Sequence, residues 1–331
     1  MASRIVIALG GNALGNTPAE QQAKIDGAAE SLVGLIAQGY EIVVSHGNGP
    51  QVGTISLAFD TASEQSDKIP AMPLPECTAM SQGYIGYHLQ KGILKELRRR
   101  GMPWHVSTMI TQMEVDPNDP AFHAPEKPIG AYYTKEQAEA LMRENQGSVY
   151  KEDAGRGWRK VVPSPKPVDI VEKDSILNLL DNEFIVIACG GGGVPVIKRA
   201  EGVYEGTDAV IDKDFASAKL ADLIDAEYLF ILTAVDKVSI NWGKPNEQKL
   251  DAMTVQEALA FCERQHAAQS AGRRRICQGK AGQKSGDCLA GTGAARDSGK
   301  KRHANIAVTA QNTQNPSLFW NIPKQRGIYA S

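Results

Sequence analysis

Three glycine-rich segments of the chain have the composition of an anion-binding site. They are ALGGNALG, SHGNGPQVG and CGGGGVPV, and each directly follows a run of apolar residues. Glycines allow backbone amides to approach an anion closely, and Asn12 and Asn48 add uncharged donors that can orient a small planar anion. Tight turns alone would explain any one segment. The three together predict a phosphate or carboxylate site.

Lysines flanked by acidic residues complete a set suited to phosphoryl transfer. Lys213 lies between Asp212 and Asp214 where a helix is predicted to begin, and Lys127 lies in the segment EKPIG. Transfer of a γ-phosphoryl group requires positioned positive charge and a carboxylate that orients the lysines or Mg²⁺. A DKD triplet is more often a solvated helix cap. The pattern therefore adds support to the anion site predicted from the glycine-rich segments, but it is not specific on its own. No segment matches GxGxxG or GxxxxGK[ST], the dinucleotide and P-loop patterns.

Strands and helices alternate along the chain in a way that would place these segments together. Predicted strands are RIVIAL (4–9), EIVVS (41–45), VSTMITQMEV (106–115), FIVIACGG (184–191) and YLFILTAV (228–235). Helices are predicted after the capping box of Thr17, Pro18 and Glu20, near 78–99, and at 213–225. Such alternation predicts a mostly parallel sheet covered on both faces, with the glycine loops at the carboxyl ends of its strands.

Composition limits the class of protein. The chain has 331 residues with 36 basic and 38 acidic side chains, so no general attraction to nucleic acid or to a membrane is expected. The first apolar run, Ile5 to Leu9, is shorter than a signal-peptide core, which predicts a cytoplasmic protein. Five cysteines without CxxC spacing predict free thiols. Proline-rich residues 116–167 predict an inserted small subdomain.

Eight segments resemble carbamate kinase, a member of the amino acid kinase family. They are IALGGNA, VVSHGNGPQVG, SQGYIGY, EKPIG, KEDAGRGWRKVVPSPKPVDI, GGGGVPV, AVIDKDFASAKLA and the ILTAVDKV…NWGKPNE region, and they span residues 4–258. The resemblance implies a three-layer α/β/α sandwich with a protruding subdomain, and a protein that forms a homodimer. It also implies reversible transfer between ATP with carbamate and ADP with carbamoyl phosphate, with Mg²⁺ on the nucleotide and no protein metal site, in arginine or purine catabolism.

The resemblance also implies roles for particular residues. The residues implied to hold carbamate and the transferred phosphoryl group are Gly10, Gly11, Asn12, Gly47, Asn48 and Gly49. Lys127 would reach the substrate from the subdomain, Lys213 would neutralise transition-state charge, and Asp214 would orient it. The residues implied to line the nucleotide pocket are Gly191, Gly192, Asp212, Thr233, Ala234 and Trp242.

The resemblance stops near residue 258, and the segment that follows has an unusual composition. Carbamate kinases continue with a loop HFAxGSMLPKV, a strand AVIASLE and an ending GKSGTxI. When every codon permitted for Ala260 to Gln269 is read one base later, the triplets permit His-Phe-Ala-Asn/Ser-Gly-Ser-Met-Leu-Pro-Lys. The same shift recovers the strand and the ending, and then permits a stop between Val308 and Thr309. We therefore expect residues 259–308 to be frameshifted and 309–331 to be read-through.

A genuine basic arm is the competing interpretation of this segment. Arg273 to Arg275 and Lys300 to Arg302 could contact phosphates. No aromatic residue is interleaved for base stacking from His266 to His303, and the rest of the chain has no basic bias. A frameshifted end would leave an impaired product that retains nucleotide binding or dimerisation only, which is the alternative to an active kinase.

Overall fold

The computed structural model describes most of the chain up to residue 250 and short pieces beyond it. The described residues are 3–10, 14–15, 17–144, 147–153, 155–232, 238–240, 245–250, 253–254, 257–258, 260–261, 305–306 and 319–321. The predicted frameshift and read-through segments therefore lie almost entirely outside the described residues, as do Cys262, Cys277 and Cys288.

Six α-helices and seventeen strands have defined bounds in the described residues. The helices are α1 (Pro18–Ile36), α2 (Gly49–Gln65), α3 (Leu74–Arg99), α4 (Lys135–Glu144), α5 (Lys173–Asp181) and α6 (Lys213–Leu223). Strands of the first half are β1 (Arg4–Leu9), β2 (Glu41–His46), β3 (His105–Thr108), β4 (Gln112–Val115), β5 (Lys127–Tyr133), β6 (Val149–Glu152), β7 (Trp158–Val162) and β8 (Pro167–Ile170). The remaining strands are β9 (Phe184–Ile187), β10 (Val194–Lys198), β11 (Tyr204–Gly206), β12 (Tyr228–Leu232), β13 (Val238–Ile240), β14 (Gln248–Leu250), β15 (Met253–Thr254), β16 (Asn305–Ile306) and β17 (Phe319–Asn321).

The main sheet has the order β17-β12-β1-β2-β9-β3. Strands β12, β1, β2, β9 and β3 pair in parallel, and β17 pairs antiparallel to β12 at the edge. Leu9 lies opposite both Leu232 and His46, so three strands end at the same level. The predicted mostly parallel sheet is confirmed, and this common edge brings the strand-end loops together.

Helices cover both faces of this sheet, which confirms the predicted three-layer sandwich. Ile5 and Ile7 of β1 belong to a core that α1 and α3 complete on one face. Val6 of β1 belongs to a second core, which α5 and α6 complete on the other face. Alternate residues of a strand point to opposite faces, so an apolar run such as RIVIAL is buried on both. Each such side chain, when fully buried, contributes about 1.5–3 kcal/mol.

Local sequence signals set the start of α1 as predicted. The Thr17 hydroxyl oxygen accepts a hydrogen bond from the Glu20 N–H at 3.3 Å, and Pro18 occupies the first turn. The helix ends at Ile36, and Gly39 follows with φ +91° before β2. This connection carries the chain from β1 to the parallel neighbour β2.

Two parts of the structure differ from the prediction. Residues 106–115, predicted as one strand, form β3 and β4, which lie in different sheets, and Gln82 of α3 contacts the backbone between them. Its side chain accepts the Thr111 N–H at 2.8 Å and donates to the Thr111 carbonyl at 3.1 Å. Helix α2 was not predicted, since its start, Gly49 and Pro50, has the composition of a turn.

The inserted region contains a separate antiparallel sheet of the order β5-β7-β6. Helix α4 contacts all three strands, and we call residues 127–162 the small subdomain. It touches the main body where α2 meets β5. The two elements are so close there that a Cβ atom added to Gly53 of α2 would lie 2.2 Å from Gly130 Cα in β5. The approach therefore excludes a side chain at Gly53, while Gly130 has a φ of +73° that disfavours one.

No described helix has the length and apolarity needed to cross a membrane. Cys77 and Cys189 are buried free thiols, as the cysteine spacing predicts.

Candidate functional site

Strands β1, β2 and β9 end at the carboxyl edge of the main sheet, where the segments after β2 and β9 are in contact. The Gly10 N–H donates to the Leu232 carbonyl at 3.0 Å, and the Gly47 N–H donates to the Leu9 carbonyl at 2.8 Å. These bonds extend the parallel ladder by one residue and fix where the loops leave the sheet. The predicted site residues Gly11, Asn12, Thr233, Ala234 and Trp242 lie outside the described residues.

Asn48 is held in a fixed orientation between β2 and α3. Its side chain is 2% exposed, and Nδ2 donates to Ser81 Oγ at 2.8 Å. The Ser81 hydroxyl in turn donates to the Thr78 carbonyl at 2.6 Å, so it accepts from Asn48 while it donates to α3. Buried amides are costly unless they are bonded, so this chain locks the amide plane of Asn48 beside Gly47 and Gly49.

The glycines after β9 pack directly on the loop after β2 and on the segment before α6. A Cβ atom on Gly190 would lie 2.3 Å from His46 Nε2, and one on Gly191 would lie 2.1 Å from Asn48 Nδ2. One on Gly192 would lie 2.5 Å from the Ile211 carbonyl oxygen. Gly191 and Gly192 also have φ of +66° and +94°, a region that disfavours side chains. This run therefore joins the predicted substrate loop after β2 to Ile211, the residue that precedes Asp212.

His46 contributes an uncharged ring beneath these loops. It is 1% exposed, and its Nδ1 lies 3.1 Å from the Gly47 carbonyl, to which the neutral ring donates. Burial lowers the pKa of His46 from 6.5 to about 4. The ring is therefore neutral at pH 7 and adds no charge to the site.

The charged residues of the site gather at the amino end of α6. Lys213 Nζ donates to Asp214 Oδ1 at 2.7 Å, and Lys127 Nζ of the small subdomain donates to Asp212 Oδ2. Asp212 caps the helix, because its Oδ1 accepts the Asp214 N–H at 2.9 Å. Burial acts to raise the pKa of Asp212, but the charge and hydrogen bond of Lys127 outweigh it and hold that pKa below its usual value.

The arrangement provides the parts that phosphoryl transfer requires. Backbone amides and a fixed asparagine amide can hold an anionic group, and two ammonium groups can offset the charge of the transition state. The amino acid kinase family matches the chain over residues 3–274. The chain belongs to this family. The match ends at residue 274, so the last part of the chain departs from the family.

Similar curated proteins are named carbamate kinase or carbamate kinase-like. The chain is 52% identical over 268 residues to the carbamate kinase-like protein YqeA of Escherichia coli, with 81% of this chain and 86% of the relative aligned. It is 56% identical over 255 residues to the carbamate kinase of Staphylococcus haemolyticus, covering 77% of this chain and 82% of the relative.

Solved structures agree with this placement. The carbamate kinase from Giardia lamblia bound to AMP-PNP is 43% identical, with a TM-score of 0.70 over 78% of this chain and 83% of that chain. The same enzyme bound to citric acid gives a TM-score of 0.73 at 42% identity, over 81% of this chain and 85% of that chain.

Several residues that build the site were not predicted from the sequence. Ser81 and Gln82 lie on α3, where the only signal was an adjacent polar pair in the segment SQGYIGY. Thr111 links Gln82 to the glycine run, because its hydroxyl oxygen accepts the Cys189 N–H at 3.0 Å. Burial raises the pKa of the Cys189 thiol well above its usual range, so it stays protonated and unreactive.

Proposed function

We propose that this amino acid kinase transfers a phosphoryl group reversibly between carbamoyl phosphate and ADP, in the ATP-forming direction. The P–O bond to the carbamoyl oxygen breaks, carbamate leaves, and a bond forms between phosphorus and the terminal oxygen of ADP. The observation that carries the proposal is the junction of Asn48, the glycine run and the two lysine pairs at one sheet edge. The similarity to carbamate kinases of bacteria and Giardia supports the choice of substrate.

Each group at the site has a role in this proposal. The residues that hold the carbamoyl and phosphoryl groups are Gly10, Gly11, Asn12, Gly47, Asn48 and Gly49. Lys127 and Lys213 offset charge on the transferring group, and Asp214 orients Lys213 through the 2.7 Å contact. The residues proposed for the nucleotide side are Gly191, Gly192, Asp212, Thr233, Ala234 and Trp242.

Mg²⁺ enters this proposal on the phosphates of the nucleotide. No group of three or more His, Cys, Asp and Glu side chains in the described part of the chain is placed to hold a metal ion. The carboxylates at the amino end of α6 are engaged by Lys127 and Lys213, so the ion is proposed to be carried by the nucleotide. The ion would supply further positive charge between the phosphates.

A homodimer is proposed through the surface beside β3, the edge strand of the main sheet. Tyr87 on α3 and Ile110 after β3 are 59% and 47% exposed there, and Leu94 lines the groove between them. Exposed apolar side chains next to an unpaired strand edge are typical of a contact between copies. We further propose a cytoplasmic enzyme of arginine or purine catabolism.

ATP formation by the purified full-length chain tests the proposed function. The chain, carbamoyl phosphate and Mg·ADP are mixed, and ATP is followed with luciferase. We expect ATP formation that falls by about 10²–10³ in Lys213→Met, because one charge on the transferring group is lost. Lys173→Met is the matched control, since Lys173 also forms an ion pair, with Asp169 at 2.6 Å, and neither residue is proposed for the site. Equal loss in both variants would contradict the assignment of Lys213.

We also propose that residues 259–308 leave the ancestral reading frame and that 309–331 are read-through. The family match ends at residue 274, which supports a departure of the last part of the chain but lies beyond the proposed starting point at 259. An impaired product that retains nucleotide binding or dimerisation only is the alternative function that follows from it. Sequencing the gene across codons 250–310 tests the idea: codons that do not spell the carbamate kinase loop in the shifted frame would refute it.

A further inference from the structure

The strand at one end of the main sheet comes from the tail of the chain. Its neighbour β12 pairs in parallel with β1 along one side and antiparallel with β17 along the other. The paired residues of β12 and β17 are Tyr228 with Asn321, Leu229 with Trp320, and Phe230 with Phe319. In the part of the chain that the structure describes, no other strand pairs with this side of β12. An uncovered strand edge has free N–H and C=O groups that can pair with another chain, and β17 covers them here.

Strand β12 contributes to both cores of the protein. Leu229 and Phe230 are 5% and 7% exposed, and they belong to the cores on opposite faces of the sheet. At the carboxyl end of β12, the Leu232 carbonyl accepts the Gly10 N–H at 3.0 Å. A displacement of β12 would therefore disturb both cores and the edge of the sheet at which the proposed site lies.

The sequence of the tail favours one short strand at this place. Phe319 and Trp320 are the first aromatic residues after Phe261, and aromatic residues are enriched in strands. Pro316 and Pro323 flank them, and proline interrupts a ladder because it has no N–H to donate. This strand lies beyond residue 274, where the family match ends, so it belongs to the part of the chain that departs from the family.

A second pairing brings the tail back to the segment that follows β14. Strand β16 pairs antiparallel with β15, and it also contacts β17. A short covalent connection of this kind gives β17 an effective concentration at the β12 edge on the order of 1 mM. At a protein concentration of about 10 μM, a second copy of the chain would be about a hundredfold less concentrated at that edge. The strand of the same chain is therefore the favoured partner of β12.

We propose that β17 is an edge cap, which holds β12 in the main sheet and prevents the β12 edge from pairing with a second copy of the chain. Residues of the segment proposed to be read-through thereby have a structural function. The inference concerns only the edge of the sheet. It does not depend on the proposed phosphoryl transfer, and it holds whether or not the gene is frameshifted.

Two adjacent prolines in β17 of the full-length chain test the cap. Successive N–H groups of a strand point to opposite sides, so Phe319→Pro combined with Trp320→Pro must remove a donor to β12. Ile328→Pro combined with Tyr329→Pro is the matched control, because it makes the same kind of change in the tail but outside β17. A chain that ends at residue 315 removes β17 without adding prolines, and a chain that ends at residue 324 retains it.

Hydrogen exchange of β12 without substrate measures the pairing directly. Alternate amides of residues 228–232 face β17, and we expect them to exchange at least about tenfold faster in the double-proline variant and in the chain that ends at residue 315. The amides that face β1, and those of β2, should keep their protection, and both controls should exchange as the unmodified protein does. Unchanged exchange in every variant would overturn the proposal. Loss of protection throughout β1 and β2 would also overturn it, because β17 would then be required for the whole fold and not for one edge.

Sedimentation velocity of the same proteins supplies the second measurement. We expect the double-proline variant to form additional larger species as its concentration rises, because its β12 edge is open, whereas both controls should match the unmodified chain. A synthetic peptide of residues 316–324, added at about 1 mM, should reduce these species and restore the protection of β12. Identical species in all variants would contradict the blocking role. If protection of β12 in the unmodified chain rises with protein concentration, the partner is β17 of a second copy, and a cap within one chain is refuted.

Discussion

Alanine at Gly191 would force the glycine run away from Asn48. The added Cβ atom would lie 2.1 Å from Asn48 Nδ2 and 2.3 Å from its Cγ, and carbon atoms in contact need about 3.5 Å or more. Asn48 cannot simply rotate, because its Nδ2 is bonded to Ser81 in a buried position. The substitution therefore tests whether this contact positions the proposed substrate loop.

The magnitude can be worked out by comparison with Gly202. Gly191 and Gly202 have φ of +66° and +77°, so alanine costs about 1–2 kcal/mol of backbone strain at either position. No atom lies within 4 Å of a Cβ on Gly202, so Gly202→Ala reports the strain alone. Crowding in a packed interior adds about 1–3 kcal/mol, so Gly191→Ala should lower the free energy of unfolding by about 2–5 kcal/mol.

Two assays follow from these numbers. Urea unfolding compares the two variants, and the difference between them measures the crowding against Asn48. The KM for carbamoyl phosphate should rise at least about tenfold in Gly191→Ala and stay unchanged in Gly202→Ala, since displacing a positioning group by about 1 Å can cost about 10² in rate. Equal unfolding free energies and equal KM values in the two variants would refute the argument that the glycine run positions Asn48.

Three further outcomes are expected. Burial lowers the pKa of His46 from 6.5 to about 4, so between these pH values the unfolded chain binds a proton that the folded chain does not. The free energy of unfolding should therefore fall by about 3 kcal/mol from pH 7 to pH 4. In urea titrations, His46→Gln should lose that part of the pH dependence. Gly53→Ala should speed proteolysis within residues 127–162, because the added Cβ would lie 2.2 Å from Gly130 Cα, whereas Gly83→Ala, in open space on α3, should not. Ser81→Ala should lower the free energy of unfolding by about 1–3 kcal/mol and raise the KM for carbamoyl phosphate, since the buried Asn48 amide loses its acceptor. If neither the unfolding free energy nor the KM changes, the bond from Asn48 to Ser81 does not have this role.

Much of the fold could be predicted from the sequence because its strands are buried on both faces. A run such as RIVIAL has no polar alternation, and glycines end it at the sheet edge, so both the strand and its loop can be recognised. Thr17 and Pro18 similarly mark the start of α1, where the structure places it. These signals come from residues adjacent in sequence, so they can be recognised without knowing the tertiary contacts.

The remaining features depend on contacts between distant residues. Gln82 on α3 bonds both the N–H and the carbonyl of Thr111 between β3 and β4, and no pattern within 106–115 indicates that partner. The pairing of Lys127 with Asp212 likewise requires the small subdomain to fold back on α6. Glycine and proline at the start of α2 are acceptable in a first helical turn as well as in a loop, so composition could not distinguish the two.

Phosphorus-31 NMR of the full-length chain with carbamoyl phosphate and Mg·ADP tests the central claim most directly. The proposed transfer predicts that the carbamoyl phosphate signal decreases while the γ-phosphate signal of ATP grows by an equal amount, above the rate seen in a mixture without protein. Release of inorganic phosphate without ATP, or no change relative to that mixture, would contradict phosphoryl transfer at this site.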